Sequence, residues 1–333
     1  MKQKSNASGI SFDWGRTSAR EEPGSNECES ESRFHPGEVQ MADSSYAQEV
    51  LNHPVGLAQD KSGVLVSITR EQANWKTINF SVRRLIAGQY WQSHTRNEEA
   101  ALVLLGGNAL VDWGQGPREI GARKDVFSGY PYAVYLPSGT AFEISAVTTC
   151  ELADCRTPSS SRLVPRIITP ADCREEIRGG GNYTRQIVDV IRPEFPADKL
   201  LICEVYTPSG NWSSYPPHKH EVHNPPAEVD LDETYYYRIS KPEGYAFQRL
   251  YDSAGTRDDT LMVSDGDLVL IKDGYHPVVA APGYDVYYLN VLAGSARSMA
   301  ASDDPRYAHL RKTALERDPR APLVHAEPSA GSS

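Results

Sequence analysis

The chain contains no run of about 18 apolar residues, so no transmembrane helix is expected in its 333 residues. Met1 to Gly15 are polar and lack the apolar core of a secretory signal. A basic stripe is missing too. The formal net charge of −10 is spread along the chain, which argues against nucleic acid as the main partner. A small anionic substrate stays open, because the charge lining a pocket can differ in sign from the total. Cysteines are few, odd in number and irregularly spaced: Cys28, Cys150, Cys155, Cys173 and Cys203. Cys150 and Cys155 would supply half of a zinc ribbon, but no second pair follows, so reduced structural thiols are expected. These absences together point to a cytoplasmic protein with no membrane partner.

What the chain has is strand-forming material. Eighteen tyrosines with many Val and Ile, punctuated by 25 Gly and 23 Pro, favour an all-β architecture with short turns. Residues 1–40 are polar, aperiodic and expected to be disordered. Met41 opens a more ordinary stretch and is a candidate natural start. From Gly63 onward strand-like segments recur: Val64 to Ile68, Ile78 to Val82, Ala101 to Leu105, Ala109 to Trp113, Ala133 to Leu136 and Ala141 to Val147. Arg156 to Gly181, with its Ser, Pro and Arg clusters and three consecutive glycines, reads as a linker; its Arg178–Tyr183 end is a candidate for ordering against a partner surface. Strands resume at Leu200 to Tyr206, Glu233 to Ile239, Ala246 to Tyr251, Thr260 to Val263, Leu268 to Ile271 and Val286 to Leu292.

A weak echo relates Asp125-Val and Ala133 to Gly139 in the first half to Asp267-Leu-Val and Asp273 to His276 in the second. Two β-barrels in tandem would explain it. The expected boundaries are 41–155 for the first barrel, 156–181 for the linker and 182–302 for the second barrel. A short amphipathic helix through Arg317 and a disordered tail would fill 303–333.

The sharpest local signal is Pro216-Pro-His-Lys-His220. Residues two apart on a strand share a face, so His218 and His220 project together while Lys219 points the other way. Their Cα atoms then lie ~6.6 Å apart, a gap two imidazoles can close on one ion. Alone, His-x-His is a weak pattern. Glu233, opening a strand, and His276, following one, complete a set of three imidazoles and one carboxylate. Such a set leaves positions open for water or substrate on a five- or six-coordinate divalent ion, with zinc foremost and manganese or iron also suited. His223 lies where the strand breaks, before Asn224-Pro-Pro226, and is ranked outside the ligand set.

Parity extends the site. Tyr235 and Tyr237 share the face of Glu233, whereas Tyr236 faces away. Aromatic stripes on strands are more often core than catalytic, yet a phenol beside a metal can donate a proton. Gln248, Arg249, Tyr288 and Asn290 are further polar residues on expected barrel strands, each needing a partner if buried. Arg249 or Lys219 is a candidate for pairing with a substrate carboxylate, although solvated surface charge is the plainer reading for Lys219.

Three strings carry a family resemblance: EVYTPSGNWSSYPPHKH from Glu204 to His220, LDETYYYRIS from Leu231 to Ser240, and DGYHPVVAAPGYDVYYLNVLAG from Asp273 to Gly294. Together they resemble the 5-deoxy-glucuronate isomerases of myo-inositol catabolism, over roughly Val55 to Ala296. The resemblance implies a bicupin, meaning two tandem cupin (double-stranded β-helix, jelly-roll) barrels. It also implies an aldose–ketose isomerase that converts the small acidic sugar 5-deoxy-glucuronate to 2-deoxy-5-keto-gluconate. By similarity to the related ketouronate isomerases, the metal ligands would be His218, His220, Glu233 and His276. Asp125 to Gly139 has no histidine, so the first barrel departs from the metal pattern and is expected to be structural or an oligomer surface in a homo-oligomer. The expected mechanism is a metal-assisted enediolate route, with Tyr235, Tyr237 or another carboxylate moving the proton and Arg249 as a substrate-binding candidate. A cupin Fe(II) oxygenase and a non-catalytic sugar-binding cupin are the alternatives.

Overall fold

The computed structural model describes Val50–Leu51 and residues 63–326. The expectations for residues 1–40 and Met41, and for Cys28, His35 and His53, lie outside the described residues. Among those described there is no α-helix; two 3-10 turns, Pro170–Asp172 and Ala308–Lys312, are the sole helical elements. Everything else that is regular is antiparallel sheet, as the tyrosine- and valine-rich composition predicts.

The first barrel is organised around one long strand, Glu98–Asp112. Its first half pairs with Cys150–Pro158 and Tyr132–Leu136, and its second half with Arg118–Arg123 and Ala141–Ala146. One strand therefore serves both walls. Two strands were expected here, split at Gly106-Gly107-Asn108; the chain bends there without ending. Gly107 has φ +92, and a Cβ on it would meet the Thr149 carbonyl oxygen at 2.3 Å, so only glycine lets the strand turn the corner. Leu102, Leu104, Val134, Leu136, Ile144 and Leu152 fill the interior, all fully buried.

The second barrel has a seven-stranded wall. In sheet order it runs Val50–Leu51, Leu268–Ile271, Leu231–Ile239, Val286–Gly294, Leu201–Thr207, Arg185–Ile191 and Arg174–Arg178. The facing wall is Trp212–Ser213, Val278–Ala280, Ala246–Tyr251 and Asp258–Val263. The whole is the two-barrel cupin architecture. Alternation on Leu231–Ile239 is clean: Tyr235 and Tyr237 point into the barrel, while Tyr236 points out against Phe80 of the first barrel, ring centroids 5.8 Å apart.

That outward face belongs to a core shared by the two barrels, with Phe80, Val103 and Tyr135 on one side and Val188, Tyr206 and Leu289 on the other. Polar groups fix the same junction. Glu99 accepts hydrogen bonds from the backbone N–H groups of Asp198, Lys199 and Leu200 and from the Tyr135 hydroxyl. The fully buried Arg123 makes a two-pronged ion pair with Glu204, at 2.6 and 3.1 Å, and the Tyr206 and Tyr287 hydroxyls also donate to Glu204.

Two expected segments are corrected. Residues 156–181 contain two strands the linker reading did not expect: Arg166–Ile168 pairs with Tyr132–Leu136, and Arg174–Arg178 adds a strand beside Arg185–Ile191. Both were hidden because they are short edge strands, one of them highly charged, set among Ser and Pro clusters that read as loop. Beyond residue 303 the amphipathic helix shrinks to the 3-10 turn at Ala308–Lys312, and the chain then lies along the second barrel. There Leu323 and Val324 donate backbone N–H groups to Gln186 Oε1, and Val324 is buried.

Candidate metal centre

His218 lies on the short strand His218–Lys219, and His220 directly follows it. Glu233 comes from the strand Leu231–Ile239, and His276 from the loop between Leu268–Ile271 and Val278–Ala280. The barrel brings all four together. Ring centroids are 4.8 Å apart for His218 and His276, 5.2 Å for His220 and His276, and 6.3 Å for His218 and His220. Glu233 Oε2 lies 2.7 Å from His220 Nε2 and 3.2 Å from His276 Nε2.

The backbone orients each ring. His218 Nδ1 is 3.3 Å from the Pro216 carbonyl, His220 Nδ1 is 3.1 Å from that of Leu231, and His276 Nδ1 is 3.0 Å from that of Gly274. A carbonyl accepts only, so each Nδ1 carries a proton. That leaves a lone pair on Nε2 of His218 and His276, while His220 Nε2, 2.7 Å from Glu233 Oε2, donates to the carboxylate when no ion lies between them. This is how metal-binding histidines are held by the groups behind them. His276 Nε2 is fully buried with no hydrogen-bond partner, a cost of about 1–3 kcal/mol that an ion would remove. The donor set of three nitrogens and a carboxylate oxygen fits a divalent cation.

Electrostatics agree. Burial, reinforced by the neighbouring imidazoles, pushes His218 well below its ordinary value, and burial likewise lowers His276. Burial works against a charge on His220, but Glu233 outweighs it and raises the value. Burial would also raise the Glu233 carboxyl; the charges of His220 and His276 and the hydrogen bond from His220 overcome this and hold it at about 2. The carboxylate is therefore ionised in any ordinary buffer.

A cavity of about 60 Å³ is lined by His218, His220 and Glu233, and Ser214, Tyr235, Tyr288 and Asn290 also line it. Tyr235 meets it with its hydroxyl 2.7 Å from Ser214 Oγ. Asn290 Oδ1 is buried and unpaired. Tyr237 lies deeper, donating to Gln248 Oε1 at 2.9 Å, and does not line the cavity. Arg249 is corrected outright. Its neighbour Gln248 takes the inward position, so Arg249 points outward, pairs with Asp258 at 2.6 Å and covers the Tyr251 ring. Lys219 is tied to Glu221 and Glu228, on the face that parity assigned it. His223 is exposed and pairs with Asp230. Cys150 and Cys155 are free and pack into different cores, so they form no pair.

The sequence reading missed Arg178 and Arg185 at the cavity. The signal available was parity: Arg185 shares its face with the inward Ile187 on the strand Arg185–Ile191.

Among the described residues no helix is long and apolar enough to cross a membrane. Residues 51–310 match the KduI/IolB family. A 5-deoxy-glucuronate isomerase of Geobacillus thermodenitrificans is 43% identical over 258 residues, covering 77% of this chain and 94% of its own. That of Bacillus subtilis strain 168 is 37% identical, covering 72% and 90%. Among solved structures, an IolB-like protein from Salmonella typhimurium LT2 superposes with a TM-score of 0.76 at 34% identity, covering 79% of this chain and 99% of its own. The oxalate decarboxylase of Lactobacillus farciminis shares the fold at a TM-score of 0.55 and 14% identity, covering 76% and 88%. With the matched segment spanning both barrels and the whole imidazole–carboxylate cluster, the chain belongs to the KduI/IolB family.

Proposed function

We propose that this chain is a 5-deoxy-glucuronate isomerase, moving hydrogen from C2 to C1 of its sugar acid to give 2-deoxy-5-keto-gluconate in myo-inositol catabolism. The observation that carries the reading is the buried group of His220, Glu233 and His276, with the half-buried His218 ring 4.8 Å from that of His276, beside a chamber in a chain so similar to isomerases of that name. His218, His220, Glu233 and His276 would hold a divalent ion, with zinc foremost, whose Lewis acidity would polarise the carbonyl and stabilise the enediolate.

The chain's own groups divide the remaining work. Burial and the Glu233 charge keep the Tyr235 phenol far above its ordinary value, so it stays neutral and donates to a substrate oxygen. Asn290 Oδ1, lacking a protein partner, would accept from a sugar hydroxyl. Glu233 is the one carboxylate lining the chamber among the described residues, and Tyr237 is turned toward Gln248. Tyr235 and Glu233 are therefore left as the proton carriers. Tyr235→Phe should lower kcat on the order of 10²-fold, the usual scale of a general acid, while Tyr237→Phe leaves it within a few-fold.

The deciding experiment incubates purified protein with 5-deoxy-glucuronate and follows the product by NMR, before and after chelation and metal return. Conversion that stops on chelation and returns with one divalent ion supports the proposal, and metal analysis of the active form identifies the ion. Absence of conversion by the metal-loaded protein would overturn it. A cytoplasmic location and a homo-oligomeric state belong to the same proposal; light scattering reads the second, and a monomer would withdraw it.

A further inference from the structure

Arg178 and Arg185 sit directly opposite each other on the neighbouring strands Arg174–Arg178 and Arg185–Ile191. Like charges in that position repel, and a fold gains nothing from placing them there unless an anion lies between or above them. Arg178 has one acidic partner, Glu176 at 2.8 Å, and stays two-fifths exposed. Arg185 has none. It is 6% exposed, and among the described residues its hydrogen bonds run from Nη1 alone, to the carbonyls of Tyr183 at 3.3 Å and Tyr215 at 2.8 Å. Nε and Nη2 have no protein partner. A guanidinium buried without a counter-charge is costly, and burial has pulled this one down to about 10.

Location says which anion. Both arginines line the chamber beside the imidazoles, and both also line an adjoining groove of about 340 Å³ that includes Arg311 and Arg317. They stand where the two spaces meet. His218, His220 and Glu233 line the same chamber as the two arginines, so an acid group held by the arginines leaves the other end of the molecule to the imidazoles. We propose that Arg185, with Arg178 opposite it, forms the subsite for the carboxylate of a sugar acid whose carbonyl end lies among the imidazoles. The inference rests on the isomerase reading and deepens it, giving the enzyme a means of telling a uronate from a neutral sugar. A planar guanidinium with two free N–H edges suits a carboxylate better than a lysine would. Arg185 replaces Arg249 and Lys219, both held by acids of the protein itself, in that role.

The test compares 5-deoxy-glucuronate with 5-deoxy-glucose, which has a hydroxymethyl group in place of the carboxylate, by turnover and by calorimetric binding. Wild type should favour the acid by at least about 10-fold in kcat/KM, the scale of a charge-assisted hydrogen bond. Arg185→Met should lower kcat/KM for the acid roughly 10- to 100-fold, mostly through KM, and leave the neutral sugar nearly as before. Arg185→Lys should restore part of the loss. Should Arg185→Met fail to fold, Arg178→Gln, at a half-exposed position, should show a smaller loss confined to the acid. Equal handling of both sugars by wild type, or equal losses for both in the variants, would overturn the subsite while leaving the isomerase reading intact. Acid that binds wild type, no longer binds Arg185→Met, and is never converted would instead sink the isomerase reading and keep the subsite.

Discussion

The two barrels share a fold and differ in what they put inside it. On the long strand of the first barrel the inward positions are Ala100, Leu102 and Leu104; on the matching wall of the second they are Glu233, Tyr235 and Tyr237. Leu102 faces Val134 across the sheet in one, and Tyr235 faces Asn290 in the other. Each fully buried aliphatic side chain contributes about 1.5–3 kcal/mol, whereas each buried polar atom left unpaired, such as His276 Nε2 or Asn290 Oδ1, costs about 1–3 kcal/mol. A chemically useful interior is thus a weak core. The shared face, with Tyr236 on Phe80 and Arg123 on Glu204, attaches the polar barrel to the apolar one. The difference teaches a division of labour: the first barrel and the junction hold the structure, and the second is left free to do chemistry.

The largest effect that would sharpen this contrast is on activity. Glu233→Gln removes the carboxylate among the imidazoles and should abolish metal retention, lowering turnover on the order of 10³-fold, several kcal/mol in the barrier. The metal-free protein should stay folded, its unfolding free energy lowered by no more than about 3 kcal/mol as His220 loses its ionised partner. Collapse of the fold on this substitution would break the contrast. At the junction the pattern should reverse. Arg123→Met strands the buried Glu204 and should cost roughly 3–5 kcal/mol, with much of it returned when Glu204 is replaced by Leu as well. Denaturant melts would show it, and a single loss under 1 kcal/mol would mean that the pair does not hold the barrels together.

Inside the first barrel, Leu104→Ala should cost about 2–5 kcal/mol by opening a cavity, while turnover per folded molecule stays at the wild-type level. A fall in turnover comparable to that of Glu233→Gln would show that the first barrel takes part in the chemistry.

Much of this contrast was legible before the fold was seen. Strand parity put His218 and His220 on one face, the family resemblance joined Glu233 and His276 to them, and the structure brings the four side chains together. Parity also turned Tyr236 outward. It failed where direction depends on tertiary pairing. Arg249 was a candidate partner for a substrate carboxylate because its strand's register was unknown, and pairing with Asp258 on the next strand holds it outside. Arg178 was read as part of a linker because charged edge strands look like loops until their partner, here Arg185–Ile191, is identified. The bend at Gly107 was read as a turn because sequence shows a glycine pair and not the Thr149 carbonyl that packs against it.

The smallest effect is in pH, and it too separates the barrels, because the first barrel's interior cluster is aliphatic and aromatic apart from the Cys150 thiol, which burial pushes up to about 11, away from the acid range. Burial lowers His218 and His276 below the ordinary 6.5, so as pH falls through that value the unfolded chain takes up protons that the folded one refuses. Stability of the metal-free protein should therefore drop between about pH 6.5 and 4.5. His220 acts oppositely and elsewhere: its raised value gives stability that is fully present below 6.5 and lost as pH rises through the folded value, so it does not offset the acid loss. Glu233, held at about 2, contributes above the ordinary carboxylate value and adds its own loss only below about pH 4.5. Melting temperatures of metal-free wild type and His218→Leu across this window isolate the term, because the variant lacks one of the two groups and should fall less steeply. The metal-loaded protein should lose its ion over the same range, since neutral imidazoles are what the ion requires. Parallel curves for wild type and variant would place the acid sensitivity outside the second barrel's interior, and the two barrels would then differ in chemistry but not in electrostatic cost.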